Sequence, residues 1–232
     1  MKRNGYILFQ GKSAIDGNPI VCIATGFASQ SANQKTGAMI QTWIIRSDIS
    51  PLDALKTGGD VSICGDCPHR PQRLSDTGYH QRSCYVNPVG VQSIYHAFKR
   101  GSYPMANAEV FRGHTLRLGS YGDPAALPAN LIQDWIANAD NHTGYSHQWR
   151  GGDMQSQTMA SVDNENEYWR ANADGYRTFR VRHDNEPLMP WEIDCPAPIR
   201  GTKCTDCGLC NGMASNAKNI SIIAHGIGAN QF

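Results

Sequence analysis

The clearest chemical signal in the sequence comes from its eight cysteines. Seven of them form two groups, one of Cys64, Cys67 and Cys84 and one of Cys195, Cys204, Cys207 and Cys210. Clustered Cys-x-x-Cys pairs in a chain with no sign of secretion are typical of metal or redox sites rather than of structural disulfides. We therefore predict two metal sites with cysteine ligands.

The second group has the spacing C-x8-C-x2-C-x2-C. Consecutive x2 gaps are the spacing of cubane clusters in bacterial ferredoxins, whereas structural zinc sites use two separated Cys-x2-Cys pairs. Pro196 directly follows Cys195, as in the Cys-Pro of ferredoxins, and Gly208 and Gly212 allow a tight loop. We predict an iron–sulfur cluster of the 4Fe-4S type here, with zinc as the alternative.

The first group supplies three thiolates and no obvious fourth ligand. His69, His80 and Cys22 are candidates for that ligand, although Cys22 lies in an apolar run where a free cysteine usually behaves as a small hydrophobic residue. A structural zinc site with one histidine is one interpretation. The other is an iron–sulfur cluster whose remaining iron is open to an outside ligand.

Apolar periodicity predicts the elements that carry these groups. Residues 19–25 and 39–45 are rich in β-branched residues and predict a β-hairpin, while Ser50 and Pro51 predict a helix start. After residue 60, strands and helices alternate. Strands are predicted at 61–64, 115–119, 143–149, 158–162, 176–181, 191–195 and 220–224, and helices at 91–99, 131–139 and 164–173.

This alternation predicts an α/β protein with a partial, barrel-like parallel β/α sheet, an N-terminal β-hairpin and cysteine-rich metal loops. We expect residues 1–60 to form a hairpin region packed on the core. Residues 61–232 are expected to form the metal-binding α/β domain.

Parallel α/β folds place their chemistry beyond the carboxyl ends of the strands. Gly119, Gly122 and Asp123 follow one predicted strand, and His147 and Asp163 end two others. We predict Asp123, His147 and Asp163 as catalytic residues, and Gly119, Gly122 and Asp123 as cofactor-binding residues. Each also has a structural interpretation, as a helix-entry turn at Asp123, a core histidine at His147 and a helix cap near Asp163.

Composition and charge limit the partners and the location that we expect for the protein. The chain has 232 residues with 21 Lys and Arg against 20 Asp and Glu, which argues against a general polyanion-binding surface. Arg177, Arg180 and Arg182 alternate on one predicted strand, where they would contact phosphate or form an exposed edge. No apolar run reaches the roughly 20 residues of a membrane span, and no signal peptide is apparent at the N-terminus. We expect a cytoplasmic protein with no membrane partner.

The motifs CGDCPHR, YGDP, TGYSHQW, GYRTFRV and CTDCGLC together resemble a family of bacteriophage and prophage proteins of unassigned activity. The resemblance covers roughly residues 35–226. It implies a phage-encoded protein that works in the host cytoplasm, with a phage or host protein as a further partner.

More distantly, the layout resembles radical S-adenosylmethionine proteins. That resemblance implies that Cys64, Cys67 and Cys84 hold a 4Fe-4S cluster, that the turn from Gly119 to Asp123 binds S-adenosylmethionine, and that the second cysteine group holds an auxiliary cluster. The spacing C-x2-C-x16-C differs from the C-x3-C-x2-C of those enzymes. The expected function is a radical S-adenosylmethionine-like or redox enzyme acting on a small molecule or nucleic acid. The alternative is a non-enzymatic module in which zinc or clusters stabilise a surface that binds nucleic acid or protein.

Overall fold

The structure, a computed structural model, describes residues 3–29, 34–73, 80–212, 217–226 and 228–231, with the backbone alone at 72–73 and 80–81. Two five-stranded sheets and the helices between their strands make up the fold.

The chain begins with three antiparallel strands, β1 (Gly5–Lys12), β2 (Pro19–Thr25) and β3 (Ile40–Arg46). The predicted pairing of β2 with β3 is confirmed, and β2 also pairs with β1, a strand that was not predicted. Apart from Pro19 at its start, β2 is buried along its whole length, because it lies between two neighbours at the centre of the core.

Three helices and a short ribbon connect β3 to the next strand of its sheet. These are α1 (Pro51–Thr57), α2 (Val61–Cys64), β4 (Gln72–Arg73), β5 (His80–Gln81) and α3 (Pro88–Lys99). The predicted start of α1 is confirmed, because the Ser50 side chain accepts a hydrogen bond from the Asp53 amide, and Gly58 ends the helix with φ of 78°. The predicted strand at 61–64 is wrong. A four-residue apolar run does not reveal its period, and here the Gly65 amide donates to the Val61 carbonyl in a helical turn.

The remaining predicted strands and helices are present with one exception. The strand predicted at 143–149 is wrong, because the chain passes from one sheet to the other at Gly144 and turns at residues 147–151. The strands are β6 (Thr115–Tyr121), β7 (Asn141–Thr143), β8 (Tyr145–Ser146), β9 (Met159–Val162), β10 (Thr178–Arg182), β11 (Glu192–Asp194) and β12 (Asn219–Ile223). The helices are α4 (Ala129–Asn138), α5 (Glu165–Ala173), α6 (Pro196–Arg200) and α7 (Cys204–Cys207), with short 3-10 turns at Ala108–Phe111, Pro124–Ala126 and Ala229–Gln231. In α4 the predicted apolar face is the one that packs inward, with Ile132 and Trp135 buried.

The first sheet has the order β1-β2-β3-β6-β7 and the second has the order β11-β12-β10-β9-β8. Only Gly144 separates β7 from β8, so the two sheets meet there. From β3 onward all strand pairs in both sheets are parallel, and they follow the chain order from β3 to β10. The predicted α/β class with a parallel sheet and an N-terminal hairpin is confirmed.

Parallel pairing of β3 with β6 means that the regions predicted as 1–60 and 61–232 share one sheet. The main core cluster likewise runs from β1 and β2 through α4 to α5. No helix within the described ranges combines the length and the apolar character that crossing a bilayer requires.

The exposed edge proposed for the arginines of β10 is wrong. Because β10 lies between β9 and β12, Arg177, Arg180 and Arg182 are all buried. Arg180 pairs with Glu192 and Arg182 with Asp194, each through a contact between Nη2 and a carboxylate oxygen. These side chains therefore hold β10 to neighbouring segments and do not offer a surface to phosphate.

Candidate metal sites and the cavity between them

A cavity of about 360 Å³ opens at the carboxyl ends of the parallel strands. Residues from the ends of β6, β8, β9, β10 and β12 line it, so the series of strands curves around this space. The cavity lies where parallel α/β folds are expected to carry their chemistry. All six residues predicted as catalytic or as first-group ligands line it: Cys64, Cys67, Cys84, Asp123, His147 and Asp163.

The first cysteine group follows β3 in the chain. Cys64 ends α2, the Cys67 amide donates to the Cys64 carbonyl at 3.2 Å, and the Cys84 amide donates to the His69 carbonyl at 3.1 Å. Burial raises the pKa of the Cys64 and Cys84 thiols, and negative charge on Cys67 raises both further. Three partly shielded sulfurs thus converge on one wall of the cavity.

Two of the three candidates for a fourth ligand are otherwise engaged. Cys22 is fully buried within β2 in the main core cluster and does not line the cavity. His69 contacts the Ser83 hydroxyl with Nδ1 at 2.7 Å and Asp163 with Nε2 at 2.9 Å, so both ring nitrogens have partners. The side chain of His80 lies outside the described residues.

Sulfur spacing distinguishes between kinds of metal. Among the described residues, the one group of three or more ligand atoms mutually within 4.8 Å belongs to His69, His147 and Asp163, not to cysteines. Tetrahedral zinc with Zn–S bonds of about 2.3 Å requires sulfurs about 3.8 Å apart. In neither cysteine group do three sulfurs lie mutually within 4.8 Å, so neither group as it stands has the spacing of a tetrahedral zinc site.

His147 and Asp163 form a hydrogen-bonded cluster with His69 beside the first group. Asp163 lies 2.9 Å from His69 Nε2 and 3.5 Å from His147 Nε2, and the two imidazole rings are 5.4 Å apart. Burial alone would lower the pKa of His147, but bonds to Asp163 and Cys67 raise it well above its usual value. Burial would raise the pKa of Asp163, yet the two histidines hold it well below its usual range. The arrangement favours a carboxylate that fixes a protonated histidine next to Cys67.

Asp123 supports His147 through the backbone. Its two carboxylate oxygens accept hydrogen bonds from the Ser146 hydroxyl and the His147 amide, both at 2.7 Å, and Oδ1 also accepts from the Ala125 amide. Burial raises the pKa of Asp123, while these hydrogen bonds oppose the rise. Asp123 lines the cavity and also begins the 3-10 turn at Pro124–Ala126, so the helix-entry interpretation and the cavity location are both correct.

The two predicted cofactor-binding glycines line the cavity at the carboxyl end of β6, with Gly119 inside the strand and Gly122 directly after it. Gly119 and Gly122 have φ of 62° and 81°. A Cβ on Gly119 would lie 2.6 Å from the Gly122 carbonyl oxygen, and one on Gly122 would lie 2.8 Å from Ile44 Cβ. Packing within the protein therefore accounts for glycine at both positions, and it brings the backbone of this segment to the cavity surface.

The second cysteine group draws together segments that are distant in sequence. The Cys195 amide donates to the Ser221 carbonyl at 2.7 Å, the Cys204 amide donates to the Lys35 carbonyl at 2.8 Å, and the Gly144 amide donates to the Cys210 carbonyl at 3.0 Å. All four cysteines line a smaller cavity of about 30 Å³. Burial raises the pKa of Cys210 to about 12, with further contributions from the other three cysteines.

The two groups are connected by shared walls. Cys195, Cys204 and Tyr145 line both the smaller cavity and the large cavity that also contains the first group. The second group is therefore not a remote structural site, because part of it faces the same enclosed space as Cys64, Cys67 and Cys84.

Several cavity residues were not predicted, and three of them contact the predicted site residues or lie between the two groups. Ser83 positions His69, Tyr145 contacts Cys210, and Arg117 lines the wall between the groups. Arg117 had a sequence signal that was overlooked, since a charged residue within a strand of a parallel sheet interrupts a run expected to be apolar. Ser83 and Tyr145 had no such signal, because their partners are identified by tertiary contact alone.

Fold and site together define a parallel α/β protein with two cysteine groups that open on one cavity. Comparison with protein-family models, with curated proteins and with solved structures finds no match for this chain.

Proposed function

We propose that the protein is an iron–sulfur enzyme of the radical S-adenosylmethionine-like type, with one open cluster and one fully ligated cluster. The observation that carries the proposal is the first cysteine group. Its three cysteines line a cavity, their sulfurs do not all lie within 4.8 Å of one another, and the leftover cysteine, Cys22, does not line that cavity.

The position of the group in the fold supports the same proposal. The three cysteines lie after β3, the first strand of the parallel series, and Gly119 and Gly122 lie at the carboxyl end of β6, the second. This arrangement is similar to the one that the resemblance implies. A reduced cluster with an open iron supplies an electron to a ligand bound at that iron.

The surrounding side chains have separate tasks in this proposal. Asp123 positions the His147 backbone, Asp163 orients the His147 ring, and His147 faces Cys67 with a hydrogen bond that stabilises thiolate charge. The apolar walls formed by Phe179, Val181 and neighbouring residues limit access of water to the reacting ligand.

The experiment is metal analysis of anaerobically purified protein, followed by electron paramagnetic resonance of the reduced form. We expect iron and sulfide in near-equal amounts with little zinc, and a spectrum that shifts when S-adenosylmethionine is added. Cys84→Ala should abolish the shift. Stoichiometric zinc without iron would contradict the cluster, and an unchanged spectrum in iron-loaded protein would contradict the open site.

A non-enzymatic module stabilised by zinc or clusters is the second candidate. The contacts of the second group with Lys35, Ser221 and Gly144 favour a stabilising role for that group, because metal ligation there joins three distant segments. Under this alternative a zinc-stabilised protein is colourless and a cluster-stabilised protein is brown, but neither binds S-adenosylmethionine. The same spectra therefore distinguish the two candidates.

A further inference from the structure

Arg117 is a cation in the cavity wall that has no carboxylate within ion-pair distance among the described residues. It lies on β6 between β3 and β7, and its side chain lines the large cavity. Its Nη2 donates to the Tyr85 hydroxyl at 2.7 Å, while its Nε is buried without an acceptor among the described residues. A guanidinium carries five N–H donors, and a buried donor without an acceptor is uncommon in folded proteins.

The carboxylates that line the same cavity are all engaged elsewhere. Asp60 pairs with Arg70 at 2.8 Å, Asp123 accepts from Ser146 and His147, and Asp163 contacts His69. Within the described part of the chain, no acidic side chain lies within ion-pair distance of Arg117. Among the described residues, Arg117 therefore presents to the cavity a positive charge that no carboxylate at ion-pair distance neutralises.

Arg117 lies between the two cysteine groups. Its hydrogen-bond partner Tyr85 directly follows Cys84 of the first group, and its charge lowers the pKa of Cys204 in the second. Apolar and aromatic side chains complete this side of the cavity, with the Tyr145 and Phe179 rings 4.3 Å apart beside Val181 and Ile222.

We propose that Arg117 and Tyr85 form an oxyanion-binding subsite for the substrate. The substrate class is a molecule with a carboxylate or phosphate group on an apolar or aromatic body, bound between the two cysteine groups. A guanidinium suits either oxyanion because two parallel N–H donors match two oxygens. This inference rests on the proposed function, since it names the substrate class for the same cavity.

The test measures binding of two probes, inorganic phosphate and benzoate, to anaerobically purified full-length protein at constant ionic strength. We expect saturable binding of at least one probe by calorimetry, with an increase in melting temperature that follows its concentration. Tighter binding of phosphate would identify a phosphorylated substrate, and tighter binding of benzoate would identify a carboxylate on an aromatic body.

Variants identify the residue. Arg117→Gln should weaken binding about tenfold or more, the expected effect of losing a charged hydrogen-bond donor. Arg112→Gln is the matched control, because Arg112 is exposed and pairs on the surface with Glu109. Tyr85→Phe provides a second variant at a 44% exposed rim residue, so it is expected to fold and to bind the probes more weakly.

Three results would count against the proposed subsite. Absence of binding for both probes, or equal binding by wild type and Arg117→Gln, would overturn the subsite. Loss of iron from Arg117→Gln without any probe binding to wild type would overturn it as well, and would assign Arg117 to charge balance at Cys204. Iron and sulfide are measured on the same samples. Protein that contains no cluster but still binds anions through Arg117 would contradict the proposed function and leave the subsite in place.

Discussion

Asp163 at the end of β9 lies 3.5 Å from His147 at the end of β8, with Oδ2 facing Nε2 across the edge of the cavity. The same carboxylate contacts His69 through its other oxygen at 2.9 Å. One side chain thereby fixes two histidines that come from different parts of the chain. The contact explains why the pKa of His147 is raised in spite of burial and why that of Asp163 is lowered.

Asp163→Asn should lower the pKa of His147, because the substitution removes the negative charge that stabilises its protonated form. Titration of the histidine ring signals by NMR measures this change. Since the pKa of Asp163 is lowered in the folded state, its contribution to stability is present above about pH 4 and is lost as the pH falls further. We expect Asp163→Asn to reduce the free energy of unfolding by about 1–3 kcal/mol at pH 7, and less in acid.

Asp174→Asn is the control for this prediction, because Asp174 is half exposed and lies 3.9 Å from Arg170 at the surface. It should leave both the histidine titration and the stability nearly unchanged. An unaltered His147 titration in Asp163→Asn would contradict the role of the carboxylate.

Cys22→Ala should leave the iron content unchanged, because Cys22 is fully buried in the core and does not line the cavity that the first cysteine group faces. The expected cost is about 1 kcal/mol of stability from lost packing. Cys84→Ala should instead remove iron from the first site. Iron analysis of the two variants side by side is the measurement, and loss of iron from Cys22→Ala would make Cys22 the missing ligand.

Glu192→Ala should be among the most destabilising substitutions outside the cysteine groups. Glu192 accepts two hydrogen bonds from Arg180, at 3.0 and 2.8 Å, and its side chain is fully buried. Removing it leaves a buried guanidinium with a weaker partner, which costs about 3–5 kcal/mol in comparable cases. Urea denaturation measures the change.

Glu109→Ala removes an exposed carboxylate from its pair with Arg112, and it is the comparison for Glu192→Ala. Its effect should stay within about 0.5 kcal/mol. Similar decreases in the free energy of unfolding for Glu192→Ala and Glu109→Ala would contradict the claim that burial makes the Glu192 ion pair the more important one.

Metal-free protein should lose stability as the pH rises above about 8.5. The pKa of Cys210 in the fold is about 12 because of burial, whereas an unfolded cysteine ionises near about 8.5. Above that pH the unfolded state releases a proton that the folded state retains, so the free energy of unfolding falls. Thermal melts of metal-free protein between pH 7 and 10 measure the slope, and Cys210→Ala should reduce it.

Metal-loaded protein should behave in the opposite way, since bound thiolates carry no proton and acid competes with the metal for them. Its stability should fall as the pH is lowered. A metal-free form that becomes more stable at high pH would contradict the burial of Cys210.

Local patterns in the sequence were sufficient for much of the fold. The apolar spacing of α4, the cap at Ser50 and the β-branched runs of β2 and β3 each depend on residues within one element, so they are readable without the rest of the chain. The spacing of the two cysteine groups likewise determined which residues are candidate ligands. The rule for parallel sheets then directed attention to the turn after β6 and to the ends of β8 and β9.

Tertiary structure decided what those residues contact. His69 and Asp163 are 94 positions apart, and the Cys204 amide reaches the carbonyl of Lys35, so no local period contains either contact. The helix at Val61–Cys64, the burial of Arg180 in the middle of a sheet and the unneutralised charge of Arg117 also depend on neighbours brought by the fold. The physical reason is that spacing determines which side chains share a face of one element. Burial, charge pairing and pKa depend on distances between elements, and those distances exist only once the chain has folded.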